Sequence, residues 1–590
     1  MEKKYLLGNE AIAYGLYESG VDASFAYPGT PSSEITEALL KISSNDIYIE
    51  WSINEKVAFE NAYGVSLTGK RSCAIMKHVG LNVASDSLIT SAYTGIKGGF
   101  LIIVADDPFA HSSQNEQDSR RYAIFSKIPC FEPSSIQEAK NMVIFAFDFS
   151  EKFEIPVLIR SVTRLSHGKS DVIIGERKKK NEFSVFIKDT EKFVMVPVNA
   201  RIALKKLNLK NKLIKEEMEK LEFNWIEKGN GETGIICSGL SYLYVKEYLA
   251  LSKKSLPVFK ISSYPIPEKK ISKFLKKLKK IFVFEEGDPV VEEYIYLISK
   301  KYEIPVKIFG KMDGSIENEG ELSVEKIEKV FEKKKNNKIY TIEIPIRNPV
   351  LCPGCPHLGS FYILKKVFGK DAIYPGDIGC YTLGVKFGMI DTCLCMGASI
   401  SIGSGIARFE KKEVVSIIGD STFFHAGIPA LINSVYNNSN HTVAILDNRT
   451  TAMTGHQPHP GIGINAKGEK TTEIDIKKLV EGCGVKNILE IDPYEIKKSI
   501  EEIKSIKGKE KVKVIIFKRE CVLLGKNKKE KFFIDYEKCK LCKMCLEIGC
   551  PAISLKNGKI EIGLLCNGCG MCSQICKFGA INKIKNGKEI

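Results

Sequence analysis

Eight of the eighteen cysteines lie in two short runs near the C-terminal end of the chain. Two-residue gaps between cysteines let consecutive thiolates converge on one iron–sulfur cubane, and in two-cluster proteins the fourth cysteine of each run binds the other cluster. Zinc is the alternative for such pairs, but two tandem runs favour iron–sulfur. The spacing predicts one [4Fe–4S] cluster on Cys539, Cys542, Cys545 and Cys576, and another on Cys566, Cys569, Cys572 and Cys550.

Oxygen-bearing residues follow two predicted strands in the third quarter of the chain. Gly419, Asp420 and Ser421 come after an apolar run at 414–418, and Asn448 and Thr450 follow the next such run. Ligands bind at the carboxyl ends of parallel strands, and Mg²⁺ prefers carboxylate, other protein and phosphate oxygens. This pattern suits a magnesium–diphosphate site, although Asp and Asn are also ordinary turn residues at strand ends.

Composition narrows the classes of function. The chain has 590 residues, of which 44% are hydrophobic and 27% charged, as in globular proteins with several cores. Its net charge of +16 comes from scattered lysines without interleaved aromatics, so we expect a solvated surface rather than nucleic-acid binding. We see no signal peptide, and the apolar runs are too short to span a membrane. A cytoplasmic protein is therefore expected.

The elements that must position these residues alternate between helix and strand. Buried strands are predicted at 70–76, 100–104 and 156–160, then at 233–238, 258–262 and 280–285, then at 413–418, 441–447 and 511–518. This order predicts a multidomain α/β protein with parallel sheets. Residues 1–5 are expected to lead directly into a helix. Residues 170–230 are expected to be charged and irregular, 332–337 a linker, and 525–531 a tether to the cysteine module.

The two strand ends resemble the motif of thiamine-diphosphate enzymes, in which Gly-Asp is followed by roughly thirty residues and Asn. The resemblance implies that Asp420 and Asn448 bind Mg²⁺ through side-chain oxygens and that Thr450 does so through its carbonyl. Thiamine chemistry also needs a carboxylate beside the aminopyrimidine ring. Residues 51–58 (WSINEKVA) are similar to the family segment that supplies it, and they point to Glu55. The alternative for Glu55 is an exposed helix-start glutamate stabilised by the helix dipole.

The whole chain resembles the large subunits of indolepyruvate:ferredoxin oxidoreductases, in the 2-oxoacid:ferredoxin oxidoreductase superfamily. The matching segments are 27–34 (YPGTPSSE), 76–82 (MKHVGLN), 352–357 (CPGCPH), 377–381 (DIGCY) and 395–399 (CMGAS). The last 60 residues or so are similar to bacterial two-cluster ferredoxins. The implied domains are pyrimidine-binding (1–170), charged connection and transketolase-C-like (171–340), diphosphate-binding (341–525) and two-cluster ferredoxin-like (530–590).

The resemblance implies oxidative decarboxylation of an arylpyruvate with coenzyme A, giving an aryl-acetyl-CoA, CO₂ and reduced ferredoxin. It implies thiamine diphosphate, Mg²⁺, two [4Fe–4S] clusters, a smaller second (beta) subunit and a heterotetramer built on a dimer of this chain. The alternatives are another 2-oxoacid:ferredoxin oxidoreductase, a non-oxidative thiamine decarboxylase and an electron-transfer subunit. Another 2-oxoacid:ferredoxin oxidoreductase would require all of these features. A non-oxidative decarboxylase would not need the clusters, and an electron-transfer subunit would not need Glu55 or Asp420.

The resemblance also implies further site residues. Met396 and Gly397 would contact the cofactor, Thr30 would hydrogen-bond the substrate carboxylate, and His78 and Arg120 would face the substrate. A plain turn is the alternative for Thr30, a structural histidine for His78 and a solvated loop arginine for Arg120. Cys352, Cys355, Cys380 and Cys521 repeat the spacing by which relatives hold a third cluster near thiamine, with buried free thiols as the alternative.

Overall fold

The structure, a computed structural model, describes residues 2–43, 46–178, 185–332, 349–525 and 530–584. It divides into two compact units, Met1–Thr341 and Ile342–Ile590. Most of the predicted linker, 333–337, and of the predicted tether, 526–529, lies outside the described residues. In the described part of the chain, no helix is both long and apolar enough to cross a membrane.

A seven-stranded sheet forms the centre of the first unit. Its order is Ser263–Tyr264, Cys130–Phe131, Val157–Val162, Phe100–Asp106, Ser72–Lys77, Ala23–Ala26 and Tyr48–Trp51. All neighbours are parallel except Ser263–Tyr264, which is antiparallel to Cys130–Phe131. Every residue of Phe100–Asp106 is buried, as expected for a parallel strand covered on both faces. The three strands predicted here are confirmed within a few residues.

Helices cover this sheet on both faces. They are Gly8–Glu18, Ser33–Ile42, Glu55–Leu67, His78–Val83, Ser85–Thr94, Ser119–Ser126, Ile136–Phe153 and Thr163–His167, with a 3₁₀ turn at Pro108–Ala110. The N-terminal residues lead into the helix Gly8–Glu18, as expected, but they form a strand that was not predicted. Glu2–Leu7 is a strand because it pairs antiparallel with Lys169–Ile174, a partner that is distant in sequence.

A five-stranded sheet follows in the same unit. Its order is Lys307–Phe309, Lys280–Phe284, Thr233–Ser238, Val258–Ile261 and the antiparallel edge strand Trp225–Glu227. The accompanying helices are Thr190–Phe193, Pro197–Met218, Ser241–Ser252, Glu268–Leu275, Val290–Lys301 and Val324–Glu332. The expectation of an irregular stretch over 170–230 is wrong, since Pro197–Met218 is a helix of 22 residues. Its buried side chains form a narrow stripe among lysines: Ala203, Leu207, Ile214 and Met218.

The second unit begins with a parallel four-stranded sheet. Its order is Val415–Gly419, Thr442–Asp447, Lys513–Lys518 and Asn487–Ile491. The α-helices around it are Pro356–Phe368, Ala398–Ile406, Asp420–Thr422, Ile428–Tyr436, Ile476–Gly482 and Ile496–Lys507. Shorter helical turns are Cys380–Phe387, Phe423–Gly427, Ala452–Thr454 and Pro460–Ile462. Strands Val415–Gly419 and Thr442–Asp447 pair directly, with Gly419 opposite Leu446, so their carboxyl ends lie side by side.

The cysteine-rich segment contains two small antiparallel sheets of two strands each. Phe532–Ile534 pairs with Ile581–Lys583, and Ile553–Lys556 pairs with Lys559–Ile562. A 3₁₀ turn, Met544–Ile548, and a short helix, Met571–Ile575, carry cysteines between them. Apolar residues of this segment, including Phe532, Ile548 and Met571, belong to the same hydrophobic core as the helix Pro356–Phe368. The segment is thus packed onto the four-stranded sheet domain.

Candidate functional site

The two predicted oxygen ligands lie at one edge of the four-stranded sheet. Asp420 follows Val415–Gly419 and Asn448 follows Thr442–Asp447, and both side chains are buried. Thr450 is also buried, and its N–H donates to Asn448 Oδ1 at 3.3 Å. Ser421 Oγ accepts from Thr451 Oγ1 at 3.0 Å. The residues that the sequence selected for a magnesium–diphosphate site therefore share one corner of the fold.

The charges in this corner fit a divalent cation. The Asp420 carboxylate accepts from Ser421 N–H at 2.8 Å and contacts His459 Nε2 at 3.0 Å. Burial, the Asp420 charge and a hydrogen bond to Asp420 raise the pKa of Asp447 to about 7. Two carboxyl groups that cannot easily both ionise are a place where Mg²⁺ would replace the shared proton. Sequence analysis missed Asp447 and His459; the position of Asp447 directly before Asn448 was the available signal.

Aromatic rings close the other side of this corner. His357 Nε2 lies 3.4 Å from Asn448 Nδ2, and burial lowers the pKa of His357 to about 4, so the ring is neutral. The Tyr381 hydroxyl donates to the Ile378 carbonyl at 2.8 Å. A Cβ on Gly419 would lie 2.5 Å from the Tyr381 ring, so the strand has to end in glycine for this ring to pack.

The segment with Met396 and Gly397 is held by a buried carboxylate. Asp377 accepts from Gly397 N–H at 2.9 Å and from Ser399 N–H at 3.0 Å. Gly397 has φ +87° and contacts Ala426, where a Cβ would come within 2.5 Å of the alanine methyl. The loop before the helix Ala398–Ile406 is thus fixed, with Met396 half-buried beside it.

In the first unit, Glu55 is the first residue of the helix Glu55–Leu67, capped by Asn54, whose side chain accepts from Val57 N–H at 2.9 Å. Glu55 is nevertheless only 5% exposed, which argues against the solvated helix-start alternative. Gly80 packs against it, since a Cβ there would lie 2.5 Å from both Cγ and Oε1 of Glu55. The YPGTPSSE and MKHVGLN segments follow adjacent parallel strands of this sheet.

Thr30 and His78 lie at the same carboxyl edge of the seven-stranded sheet. The Thr30 carbonyl accepts from Ser112 Oγ at 3.2 Å, and Thr30 is half-buried. His78 is buried, with Nε2 3.3 Å from the Asn115 carbonyl and Nδ1 without a hydrogen-bond partner among the described residues. Burial lowers the pKa of His78. Both positions suit a polar ligand at this edge.

Arg120 does not have the environment that the sequence suggested. It is fully buried and forms ion pairs with Asp118 at 2.5 Å and with Glu285 at 2.9 Å. It also donates to the Tyr264 hydroxyl at 2.9 Å and to the Glu286 carbonyl at 2.7 Å. Its donors are thus used between the two sheets of the first unit. This burial argues against both a substrate-facing and a solvated Arg120.

Four cysteines that are distant in sequence come together beside the Asp420 corner. Burial raises the pKa values of the Cys355, Cys380 and Cys521 thiols, and charge interactions link every pair among Cys352, Cys355, Cys380 and Cys521. The Cys521 N–H donates to the Asn448 carbonyl at 2.9 Å. The group therefore adjoins the candidate metal ligands through the backbone.

The eight C-terminal cysteines line two separate cavities. One is bordered by Cys550, Cys566, Cys569 and Cys572, and the other by Cys539, Cys542, Cys545 and Cys576. The two linings contain the same cysteines as the two sets that the spacing predicted, including the exchange of the fourth cysteine between runs. Elsewhere, Cys73, Cys130 and Cys237 are buried core residues, whereas Cys393 and Cys395 are exposed.

Within the described residues, no group of three or more His, Cys, Asp or Glu side chains could hold a single metal ion. The predicted sets are of other kinds. A cubane offers a separate iron to each of its four thiolates, and the predicted magnesium set contains one carboxylate, one amide and one backbone carbonyl.

Two known protein families match separate stretches of this chain. Residues 14–219 match the family model "pyruvate flavodoxin/ferredoxin oxidoreductase, thiamine diphosphate-binding", and 377–517 match "thiamine pyrophosphate enzyme, C-terminal TPP binding domain". A solved 2-oxoglutarate:ferredoxin oxidoreductase from Magnetococcus marinus aligns with a TM-score of 0.43 and 16% identity, over 52% of this chain and 62% of that one.

Full-length relatives are much more similar. Indolepyruvate oxidoreductase subunit IorA of Archaeoglobus fulgidus is 43% identical, over 99% of this chain and 98% of that protein. Its counterpart in Methanothermobacter marburgensis is 42% identical over 98% and 97%, and that in Thermococcus kodakarensis is 41% identical over 100% and 98%. The chain therefore belongs to the indolepyruvate oxidoreductase subunit IorA family and is a thiamine-dependent oxidoreductase of the 2-oxoacid:ferredoxin type.

Proposed function

We propose that the chain catalyses coenzyme A-dependent oxidative decarboxylation of arylpyruvates, such as indolepyruvate and phenylpyruvate, to aryl-acetyl-CoA and CO₂, with the electrons passed to ferredoxin. One observation carries this proposal: the buried Asp420–Asn448 corner adjoins a four-cysteine group through the 2.9 Å hydrogen bond from Cys521 to Asn448. A decarboxylase that transfers no electrons has no use for thiols at that position. An electron-transfer subunit has no use for the buried oxygen ligands.

In this proposal, Asp420, Asn448 and the Thr450 carbonyl hold Mg²⁺ and, through it, the diphosphate of the cofactor. When bound, thiamine diphosphate takes up the electrons left by the departing carboxylate, and iron–sulfur clusters accept electrons one at a time. Gly419, Ser421, Met396 and Gly397 border the cofactor. His459 orients Asp420 through the 3.0 Å contact at Oδ2.

Glu55 is proposed to exchange a proton with the aminopyrimidine ring of the cofactor. Its burial supports this role, because a carboxylate in a dry site interacts strongly with a ring nitrogen and little with water. Asn54 fixes the start of the helix that carries Glu55, and Gly80 leaves just enough room for the side chain. Thr30 and His78 are proposed to face the substrate from the neighbouring strand ends.

The three cysteine groups are proposed to hold three [4Fe–4S] clusters. The loop with Cys352 and Cys355 contacts the loop after Cys566, since Asn567 Nδ2 donates to the Pro353 carbonyl at 3.0 Å. The second set, with Cys550, thus adjoins the third group, and the set with Cys539 lies beyond it in the module. The ferredoxin pattern has three residues before the fourth cysteine of a run and a proline after it. This chain has four residues before Cys550 and Lys577 after Cys576, but the number of cysteine ligands is unchanged.

We also propose a smaller second subunit, a heterotetramer built on a dimer of this chain, and ferredoxin as the acceptor. The names of the full-length relatives, which are subunits, support a second chain. A cytoplasmic location is proposed because unpaired thiols persist in reducing compartments. We retain the division into 1–170, 171–340, 341–525 and 530–590 as a proposal, although the seven-stranded sheet takes its edge strand, Ser263–Tyr264, from the second range.

The experiment is an oxygen-free assay of the chain co-purified with its second subunit. Thiamine diphosphate, Mg²⁺, coenzyme A and a viologen dye are mixed with indolepyruvate, phenylpyruvate or pyruvate. We expect dye reduction that requires coenzyme A and is fastest with the arylpyruvates. Faster reaction with pyruvate would instead favour another 2-oxoacid:ferredoxin oxidoreductase.

Two other outcomes would favour a different function for the chain. Release of a free aldehyde without dye reduction would favour a non-oxidative decarboxylase. Cluster reduction without CO₂ release from any 2-oxoacid would favour an electron-transfer subunit. Failure of the purified protein to bind thiamine diphosphate with magnesium would contradict the proposal at its base.

A further inference from the structure

The carboxyl ends of three neighbouring strands meet at one edge of the seven-stranded sheet. These strands, in spatial order, are Phe100–Asp106, Ser72–Lys77 and Ala23–Ala26. Parallel sheets bind ligands at this edge. The middle strand ends in Lys77, the loop with Thr30 follows one neighbour, and the segment with Ser112 follows the other. Lys77 is therefore at the centre of the edge.

Lys77 is held there by both flanking segments. Its Nζ donates to the Ser112 carbonyl at 2.8 Å and lies 3.4 Å from Ser112 Oγ, which in turn donates to the Thr30 carbonyl. On the other side, a Cβ on Gly29 would lie 3.1 Å from the Lys77 Cβ. The side chain is 8% exposed, so its ammonium group has a fixed position rather than the freedom of a surface lysine.

The charge of Lys77 is only partly compensated. Asp107 is the carboxylate whose charge acts on it, but the Asp107 oxygens already accept from Ser112 N–H at 2.8 Å, Ser113 Oγ at 2.6 Å and Thr163 Oγ1 at 2.7 Å. Burial consequently outweighs Asp107 and lowers the pKa of Lys77 to about 8. A buried ammonium in this state gains from an anionic ligand.

The site of proton exchange adjoins this lysine along the chain. His78 follows Lys77 and has a buried Nδ1 with which no described residue forms a hydrogen bond, and Gly80 contacts the Glu55 carboxylate. The nearby arginines are committed elsewhere: Arg120 to its buried network, and Arg121 to Glu293 at 2.6 Å. Lys77 is thus a cation available at this edge.

We propose that the Lys77 ammonium group binds the carboxylate of the 2-oxoacid substrate. This inference rests on the proposed function. Ser112 positions the ammonium, Thr30 borders the site, and His78 offers Nδ1 to a second polar group of the substrate.

The test is equilibrium binding of an unreactive carboxylate, indole-3-propionate, and of its neutral amide to the complete enzyme loaded with thiamine diphosphate. For Lys77→Met, we expect the carboxylate affinity to fall about 10- to 100-fold, as for loss of a charge-assisted hydrogen bond, and the amide affinity to change less than about twofold. Lys77→Arg should restore part of the difference. Lys97→Met, at an exposed lysine paired with Glu154, is the matched control.

Equal losses for both ligands would show that Lys77 only supports the fold, and unchanged carboxylate binding would show that another group binds it. Either result overturns the inference. The proposed function fails instead if the wild type binds thiamine diphosphate but none of the 2-oxoacids tested supports dye reduction.

A measurement on the wild type covers the case in which Lys77→Met does not fold. The charged groups facing Lys77 are Asp107 and His78, with Asp106 acting on His78. Asp107 has a lowered pKa and stays charged, and His78 has a lowered pKa and stays neutral. Because Lys77 alone loses charge above pH 8, carboxylate affinity should fall about tenfold from pH 7 to pH 9, with amide affinity constant. A flat carboxylate profile would contradict the inference.

Discussion

Gly80 offers a sharp test of the role of Glu55, because the two residues touch. A Cβ at position 80 would lie 2.5 Å from Glu55 Cγ and Oε1. Carbon atoms in contact need about 3.5 Å, so Gly80→Ala must move the carboxylate by about 1 Å. A displacement of that size at a reacting group costs about 100-fold in rate, which corresponds to about 2.7 kcal/mol of transition-state stabilisation.

The variant should remain folded. Alanine is a better helix former than glycine by up to about 1 kcal/mol, which offsets part of the local strain. We therefore expect the melting temperature of Gly80→Ala to stay within a few degrees of the wild type. Gly64→Ala is the matched control, because Gly64 is in the helix that begins at Glu55 and a Cβ there would meet nothing within 4 Å.

The assay is anaerobic viologen reduction at saturating 2-oxoacid, combined with a double-mutant cycle. Glu55→Ala alone should lower kcat by about 10²- to 10⁴-fold, as for loss of a positioned proton-transfer group. Adding Gly80→Ala to it should cost less than about twofold more, since no carboxylate is left to displace. The reasoning is refuted if Gly80→Ala stays within threefold of the wild type, or if it costs as much without Glu55 as with it.

Three further predictions concern the cysteine groups, the buried arginine and the acceptor surface. Cys352→Ala should lower the iron content of the anaerobic protein from about twelve to about eight atoms per chain, whereas Cys483→Ala should leave it unchanged; equal iron in both variants would exclude the third cluster. Arg120→Met should destabilise the first unit by about 3–5 kcal/mol in denaturant unfolding, because it leaves buried carboxylates unpaired, and Arg121→Met, at a half-exposed pair, by less than about 1 kcal/mol. Lys540→Glu, at an exposed position beside the cavity of the Cys539 set, should slow reduction of an acidic ferredoxin several-fold at low salt without slowing viologen reduction; equal slowing of both acceptors would contradict this.

Local patterns predicted much of this fold. The strands that the sequence predicted were found within a few residues because parallel strands are apolar on both faces, and the ends of two of them brought Asp420 and Asn448 to one edge. The short buried strand Ala23–Ala26 was not predicted. Cysteine spacing also predicted which cysteines line each C-terminal cavity. Three of the four cysteines of each set are close in sequence, and the turns between them are short.

Features that depend on distant partners were not predicted. The helix Pro197–Met218 has few apolar residues among many lysines, so its narrow buried stripe is visible only once the fold supplies a surface for it. Arg120 follows a polar loop, and nothing local shows that Glu285, far along the chain, will pair with it. Lys77 was present in a matching segment, but only its burial and its contact with Ser112 distinguish it from a surface lysine.

The shared core beneath the cysteine-rich segment limits how that segment can work. Gln574 Oε1 accepts from Ile496 N–H at 3.0 Å, and its Nε2 donates to the Tyr494 carbonyl at 2.7 Å, in addition to the apolar contacts around Met571. If the cysteine-rich segment moved between two docking positions, it would have to break these hydrogen bonds and expose that core to water at every turnover. The proposed clusters of this unit would therefore keep a constant spacing, and the mobile step of electron delivery would fall to the proposed external acceptor.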